Sequence, residues 1–363
     1  MSDEDYMRRA LSLAARAVGW TSPNPAVGAV VVRRGRIVGE GYHRRAGEPH
    51  AEVIALRNAG RRARGATLYV TLEPCCHLDK RTPPCTDAVR SSGVKRVVVA
   101  TKDPNPAVRG RGILRMRAQG IEVSVGLLGD HARRLNEAYI HWITTGRPFV
   151  TLKIAATLDG KIATSAGESR WITGSRAREY THRLRRRVDA VLVGLGTVLA
   201  DDPQLTARGT VPGHDPHRVV ADERLMIPPN ARVLRPRAGS VAIVATTGLA
   251  SAARRRRLER RHVRVLATKS REGLVDLPDL MRRLGALRIT SVLIEGGAEL
   301  NASALKSGVV NKVIVMIAPK LLGGRDAVGA IGGTSPKRLD DAVKLREPSV
   351  RRAGGDVIVE GYL

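Results

Sequence analysis

Pro49-His50-Ala51-Glu52 and, further along, Leu72-Glu73-Pro74-Cys75-Cys76-His77 with Thr82-Pro83-Pro84-Cys85 decide how the first half of this chain is read. His50 opens an apolar-periodic stretch that predicts a helix to about Asn58, and Glu73-Pro74-Cys75 closes a β-rich run at 67–71. One imidazole and two thiolates are the three-ligand set of a catalytic zinc site, with the fourth position left for water. Zinc brings the pKa of such a water to about 7. Glu52, two residues past the ligand and not itself a ligand, is placed to carry protons from that water to a departing amine. His50, Cys75 and Cys85 are therefore the expected ligands and Glu52 the expected catalytic residue of a hydrolytic deaminase. Structural zinc and free thiols are the competing readings, and an isolated His-x-Glu would not exclude them. Its coincidence with Pro-Cys and a second downstream Cys favours catalysis. The common deaminase signature separates its cysteines by two residues, whereas nine intervene between Cys75 and Cys85. Cys76 competes as the nearer thiol; adjacent cysteines rarely both reach one ion, so Cys85 is read as the ligand and Cys76 as a spectator.

Around this core the first part alternates helix and strand. Residues 5–18 carry Met7, Leu11, Ala14 and Val18 at helical spacing, with Gly19 as the stop. The runs 27–32 and 37–42 form a hairpin through Arg33-Arg34-Gly35-Arg36, with Gly35 at positive φ. A short helix after Cys85, a strand at 96–101 and further signals over 108–125 complete a three-layer α/β pattern. The pattern breaks at Thr144-Thr145-Gly146-Arg147-Pro148, which sets the domain limits at 1–146 and 147–363. The second part shows β-rich runs at 149–154, 190–193, 218–221, 241–245, 263–266, 291–294 and 312–318, with helical stretches between several of them: a second α/β sheet. No fixed-period repeat occurs.

The chain has 363 residues, enough for two domains with separate cores. Aromatic residues make up 3% with one Phe, so Val, Leu, Ile and Ala must fill those cores, and base stacking on an aromatic face is excluded. Three cysteines within 75–85 cannot form a disulfide framework. The acidic start Ser2-Asp3-Glu4-Asp5 is unlike a signal peptide, and the best apolar run, 190–200, is short and broken by Gly194 and Gly196. A cytoplasmic protein with no membrane partner is expected. The net charge of +28 admits nucleic acid, acidic surfaces or phosphorylated small molecules as partners. Basic runs such as Arg254-Arg255-Arg256-Arg257 read as solvated helix faces.

With Ser22-Pro23-Asn24-Pro25-Ala26-Val27-Gly28 added to the zinc residues, the first half resembles the deaminase domain of the bifunctional riboflavin-biosynthesis deaminase/reductases, which has a cytidine deaminase-like fold. The long cysteine spacing is a trait of that family. The loop Leu78-Asp79-Lys80-Arg81 is one residue longer than the family pattern and lacks its glycine. The second half resembles the family's dihydrofolate reductase-like α/β domain through Thr151-Leu152-Lys153, Leu158-Asp159-Gly160-Lys161, Gly167-Glu168-Ser169-Arg170-Trp171, Leu199-Ala200-Asp201-Asp202-Pro203 and Glu295-Gly296-Gly297-Ala298-Glu299-Leu300. Glu295-Gly296-Gly297 also follows an apolar strand and precedes a helical stretch, a turn at which backbone amides can approach a phosphate.

The resemblance implies a two-step enzyme. One site deaminates 2,5-diamino-6-(5-phosphoribosylamino)pyrimidin-4-one with zinc, and the other uses NADPH to reduce the ribosyl group to ribityl. It places Asn24 on the pyrimidine, and Ser169, Arg185, Leu205, Arg208 and Glu295 on the reductase substrate, the two arginines being suited to its phosphate. It places Ala155, Trp171, Thr197, Asp201, Gly297, Ala298, Glu299 and Leu300 on NADPH. A homo-oligomer with a phosphorylated pyrimidine substrate and no nucleic-acid partner is implied. After Asp222 the family commonly has Ser and, three residues on, Arg; this chain has Glu223 and Met226, with Arg224 between them. A carboxylate near the adenosine ribose predicts weaker discrimination against NADH. The rival reading, an RNA-binding or RNA base-deaminating protein, has only the net charge behind it and leaves the second half without a role.

Overall fold

The Ser2 hydroxyl accepts the Asp5 amide while the Asp5 carboxylate accepts the Ser2 amide, a reciprocal cap that starts α1 (Asp3–Ala15). The helix stops short of Gly19 because its last turns tighten: Ala17 N donates to Ala14 O and Trp20 N to Ala17 O. A computed structural model describes residues 1–77, 83–208, 214–259 and 263–363 and divides the chain into two units, Met1–Gly146 and Arg147–Leu363. In the first, β1 (Gly28–Arg33) and β2 (Arg36–Tyr42) form the expected hairpin. Arg34 and Gly35, at φ 49° and 74°, make the turn that matches strand twist. Then follow α2 (Ala51–Ala59), β3 (Thr67–Val70), α3 (Cys85–Ser91), β4 (Arg96–Val99), α4 (Arg111–Ala118), β5 (Glu122–Val125), α5 (Gly129–Leu135) and α6 (Glu137–Thr145).

The sheet order is β2-β1-β3-β4-β5, with β3, β4 and β5 parallel. Both faces are covered, as continuous apolar strands require. Val31, Leu68, Val70, Val97 and Val99 face α2, α3, α4 and α6, while Val30, Val32, Tyr69 and Val98 face α1 and α5. The sequence reading contained neither α5 nor α6. Two glycines bring α2 close to the sheet. A Cβ on Gly41 would lie 2.5 Å from Ala51 O, and one on Gly39 2.2 Å from Ala55 O. That close approach fixes the start of α2, where His50 and Glu52 lie.

The second unit runs β6 (Phe149–Thr157), β7 (Lys161–Ala163), α7 (Ser175–Arg187), β8 (Ala190–Gly194), α8 (Leu195–Asp201), β9 (His217–Ala221), β10 (Ala242–Thr246), α9 (Ala252–Leu258) and β11 (Val263–Ala267). It continues with β12 (Ser270–Arg271), β13 (Leu274–Val275), α10 (Leu277–Ala286), β14 (Ser291–Ile294), α11 (Ala298–Lys306), β15 (Lys312–Ala318), β16 (Val328–Gly329), β17 (Arg346–Ala353) and β18 (Asp356–Tyr362). Nine strands form one sheet, β11-β10-β9-β8-β14-β6-β15-β18-β17, parallel from β11 to β15 and antiparallel at β18 and β17. Helices α10 and α11 cover one face and α8 and α9 the other, with α7 alongside. The parallel part puts the ends of β6, β8 and β14 side by side, where a ligand crevice is expected. One basic residue is wholly structural: Arg218, 1% exposed, donates to the carbonyls of Val233, Arg235 and Ser240.

Candidate functional site

His50 directly precedes α2, Cys75 lies in the turn after β3, and Cys85 is the first residue of α3. The three chain segments meet at one point. His50 Nδ1 lies 3.2 Å from Cys85 Sγ and 3.5 Å from Cys75 Sγ, and a ligand atom from each residue lies within 4.8 Å of the other two. The Cys85 amide donates to Cys75 Sγ at 3.5 Å, as a helix N-terminus does to a thiolate. One nitrogen from half-buried His50 and two sulfurs from buried cysteines fit a tetrahedral zinc with an open fourth position. Cys76 lies outside this group, and burial pushes its thiol up. The longer segment Leu78-Asp79-Lys80-Arg81, with Thr82, lies outside the described residues.

Glu52, 3% exposed, lies in the first turn of α2, two residues past His50, and burial, with Cys75 beside it, pushes its carboxyl up. Such a group accepts and returns protons more readily than an ordinary carboxylate. Asn24 is held by a residue that sequence reasoning missed. The Pro49 carbonyl can only accept, so His43 donates to it through Nδ1 (3.2 Å) and accepts the Asn24 amide through Nε2 (3.1 Å). Burial lowers the His43 pKa, in keeping with this neutral form, and its ring stands edge-on to His50 with centroids 5.1 Å apart. Glu73 has another task. Its carboxylate accepts the amides of Asp103 (3.2 Å), Gly110 (2.9 Å) and Ile113 (3.1 Å), tying the Cys75 turn to the start of α4.

In the second unit a cavity of about 1000 Å³ opens at the ends of β6, β8 and β14. Of the residues expected there, Ala155, Ser169, Trp171, Arg185, Thr197, Asp201, Leu205, Arg208, Glu295 and Gly297 line it, but Ala298, Glu299 and Leu300 do not. These three form the first turn of α11, and Leu300 packs beneath Gly296, where an added Cβ would come within 2.8 Å of it. Gly297 leaves open space at the wall, with only Thr197 Oγ1 within 4 Å of an added Cβ. Asn301, 1% exposed and also lining the cavity, gives its amide to Ala330 O (2.8 Å) and keeps a buried Oδ1 without a partner. An open glycine wall and an orphaned acceptor fit a dinucleotide carrying phosphate and amide groups.

At the cavity floor Glu295 takes a bidentate pair from Arg185 (2.6 and 3.0 Å) and a bond from Lys153 Nζ (3.1 Å). All three side chains are 13% exposed or less. Burial alone would raise the Glu295 pKa; the two cations outweigh it and hold it at about 2. Arg185 gives a third bond to Thr206 O (3.1 Å). The expected bidentate grip of Arg185 is thus taken by Glu295, which leaves Arg208 as the more open guanidinium. Ser169 Oγ donates to Asp201 Oδ1 (3.1 Å), joining a substrate candidate to a cofactor candidate. Glu223 and Met226 do not line this cavity, and the Glu223 carboxylate accepts the Val275 amide (3.4 Å) while Arg224 is exposed.

A buried carboxylate beside a three-ligand metal pocket, with a glycine-walled cavity over an ion triad in a second unit, defines a zinc deaminase joined to a nicotinamide-dependent reductase. Residues 1–101 match the cytidine and deoxycytidylate deaminase zinc-binding region, and residues 148–359 match the RibD C-terminal domain. The riboflavin biosynthesis protein RibD of Aquifex aeolicus is 45% identical, over 98% of this chain and 97% of its own. The solved structure of Acinetobacter baumannii RibD superposes with a TM-score of 0.88 at 37% identity, covering 99% of this chain and 98% of its own. A Thermotoga maritima diaminohydroxyphosphoribosylaminopyrimidine deaminase/5-amino-6-(5-phosphoribosylamino)uracil reductase gives 0.88 at 38%, with the same coverage. The chain belongs to the RibD family of riboflavin-biosynthesis proteins. It is a bifunctional enzyme with deaminase and reductase activities that uses zinc and NADPH. The RNA-binding and RNA-deaminating alternatives find no support. Among the described residues no helix is long and apolar enough to cross a membrane.

Proposed function

We propose that residues 1–146 hydrolyse the 2-amino group of 2,5-diamino-6-(5-phosphoribosylamino)pyrimidin-4-one and that residues 147–363 then reduce the ribosyl group. The convergence of His50 Nδ1 and the two thiols beside buried Glu52 carries the first half of this reading. Zinc held by His50, Cys75 and Cys85 would supply a water acidified to near neutrality. Glu52 takes a proton from the attacking water and returns it to the amine as the ring C2–N bond breaks and ammonia leaves. Asn24, kept in one orientation by His43, presents its carboxamide to the pyrimidine ring.

In the reductase cavity the substrate phosphate is held by Arg208, with Ser169, Leu205 and Glu295 lining the sugar and base and Arg185 bracing Glu295. Ala155, Trp171, Thr197, Asp201 and Gly297 face the cofactor side. NADPH supplies the hydride. Opening of the ribosyl ring leaves a C1′=N bond that takes this hydride, while O4′ takes a proton from Lys153. Glu295 holds that amine in place at 3.1 Å.

We also infer a cytoplasmic homo-oligomer that does not bind nucleic acid as part of its task. Exposed Leu321, Ile331 and Leu339, with Val350 on the edge strand β17, support self-association. The deciding assay supplies the diaminopyrimidine to purified protein with and without NADPH. Ammonia release is expected in both cases and NADPH oxidation only after it; oxidation without ammonia release would overturn the order, and neither event would overturn the assignment.

A further inference from the structure

Arg208 is the last described residue before 209–213, and the short run 206–208 that presents it has no place in the sheet. Leu205, buried and at φ 53°, turns the chain out of the core just before it. Residue by residue, this run is pinned from α7. Arg185 Nη1 donates to Thr206 O (3.1 Å) and Arg186 Nη1 to Arg208 O (3.0 Å). His182 Nδ1 accepts the Arg208 amide itself, at 3.2 Å. Asp215 closes the other side by accepting the Ala207 amide (2.9 Å). His182 also lines the cavity, on the same side as Arg185 and Arg208.

The two arginines can each be replaced in kind, because any long donor reaches a carbonyl. His182 cannot, because it is the one acceptor among the three α7 side chains in this set. An amide at this position needs an acceptor with a free lone pair at Nδ1, so the ring must be uncharged. Burial lowers the His182 pKa, and Arg185 and Arg208 push in the same direction, against a backbone hydrogen bond at Thr206 and the charge of Glu295. Burial first, and the two cations after it, favour the uncharged form that the amide contact requires.

We propose that His182 is a positioning residue of the reductase: by accepting the Arg208 amide it fixes the backbone from which the Arg208 guanidinium reaches the substrate phosphate. The inference rests on the reading that Arg208 holds this phosphate. His182 touches no reacting atom in it. Its removal therefore weakens substrate capture and leaves hydride transfer in the filled complex nearly intact.

The test uses the full chain, the deaminated substrate and three variants. Losing one backbone hydrogen bond at the base of a phosphate contact predicts a KM for substrate about five- to tenfold higher in His182→Phe, with kcat and the KM for NADPH within about twofold. His182→Asn, whose Oδ1 can stand where Nδ1 does, is expected to restore KM to within about twofold of the parent. Inorganic phosphate, used as a competitive inhibitor, is expected to weaken in step with substrate in His182→Phe and to recover in His182→Asn. Arg208→Ala is the control on the underlying reading and is expected to raise KM more than either. If Arg208→Ala leaves KM unchanged, the phosphate assignment fails. If Arg208→Ala raises KM while His182→Phe does not, or if Asn fails to rescue while NADPH still binds normally, the positioning role fails.

Discussion

The two sites solve the same problem, holding reactive groups in one fixed arrangement, with opposite materials. The deaminase site uses three soft ligands gathered at the starts of two helices and the end of one strand, within a short length of chain. The reductase site uses full charges: Lys153, Arg185 and Glu295, drawn from β6, α7 and the residue after β14, with Lys153 and Glu295 separated by 142 positions. Ligand geometry survives small changes elsewhere as long as the donors remain. A buried ion triad does not, because each member's charge is tolerable only while its partners are present. The first site should therefore fail by losing a metal, the second by losing electrical balance.

The contrast is broken most severely at the ligands. Cys75→Ser or Cys85→Ser is expected to lose zinc and deaminase activity while NADPH-dependent reduction of supplied substrate continues; metal analysis beside both assays checks it. Cys76→Ser is expected to keep both, and full zinc in Cys85→Ser would show that the third ligand was wrongly chosen. Glu52→Gln comes next. It keeps zinc and loses deamination by at least about a hundredfold, the scale of general acid–base loss, with reductase kcat unchanged. If both activities collapse in a folded protein, the sites are not independent.

The triad is probed by Lys153→Met, expected to lower reductase kcat by about a hundredfold and to leave ammonia release alone. Glu295 sharpens this test through pH. Its pKa is depressed in the fold to about 2, so its contribution to stability is present above the ordinary value of 4.5 and is lost as pH falls toward 2. The reductase pH profile is accordingly expected to show no limb from this carboxylate above about pH 5; a limb near 6 that vanishes in Glu295→Gln would contradict it. The smallest effect is expected at Glu223. Since its carboxylate accepts the Val275 amide and lies off the cavity wall, Glu223→Ser is expected to change the NADPH-to-NADH preference in kcat/KM by less than about threefold. A larger change would place the adenosine ribose within reach of this residue.

These differences also decide what could be read from sequence. His50, Glu52, Cys75 and Cys85 announce themselves because metal chemistry restricts both residue type and spacing. The continuous β-rich runs in Gly28–Arg33 and Thr67–Val70 marked the strands, since their apolar residues face one core or the other. His43 and His182 carried no such mark: one is a lone imidazole just past the end of β2, the other sits in the arginine-rich α7, where basic residues read as solvated. Helices α5 and α6 were missed because few of their residues are buried, only Gly129 and Ala132 in one and Tyr139 in the other. Strand β17 was missed because it is an exposed edge with no apolar alternation. The pairing of Arg185 with Glu295 carried no mark either, for the two lie 110 positions apart.

Glu73 has a consequence for the life of the protein without its ion. Three amides from Asp103, Gly110 and Ile113 converge on its carboxylate, so the turn bearing Cys75 is clamped by the polypeptide itself. Folding of the first unit need not wait for zinc, unlike that of small domains whose order is supplied by the metal. Under zinc scarcity the chain would persist as an intact, dormant apoprotein that still reduces, and regain deamination when the ion returns. One cycle of chelation and readdition, followed by circular dichroism, checks this: activity is expected to fall and recover while the spectrum stays constant.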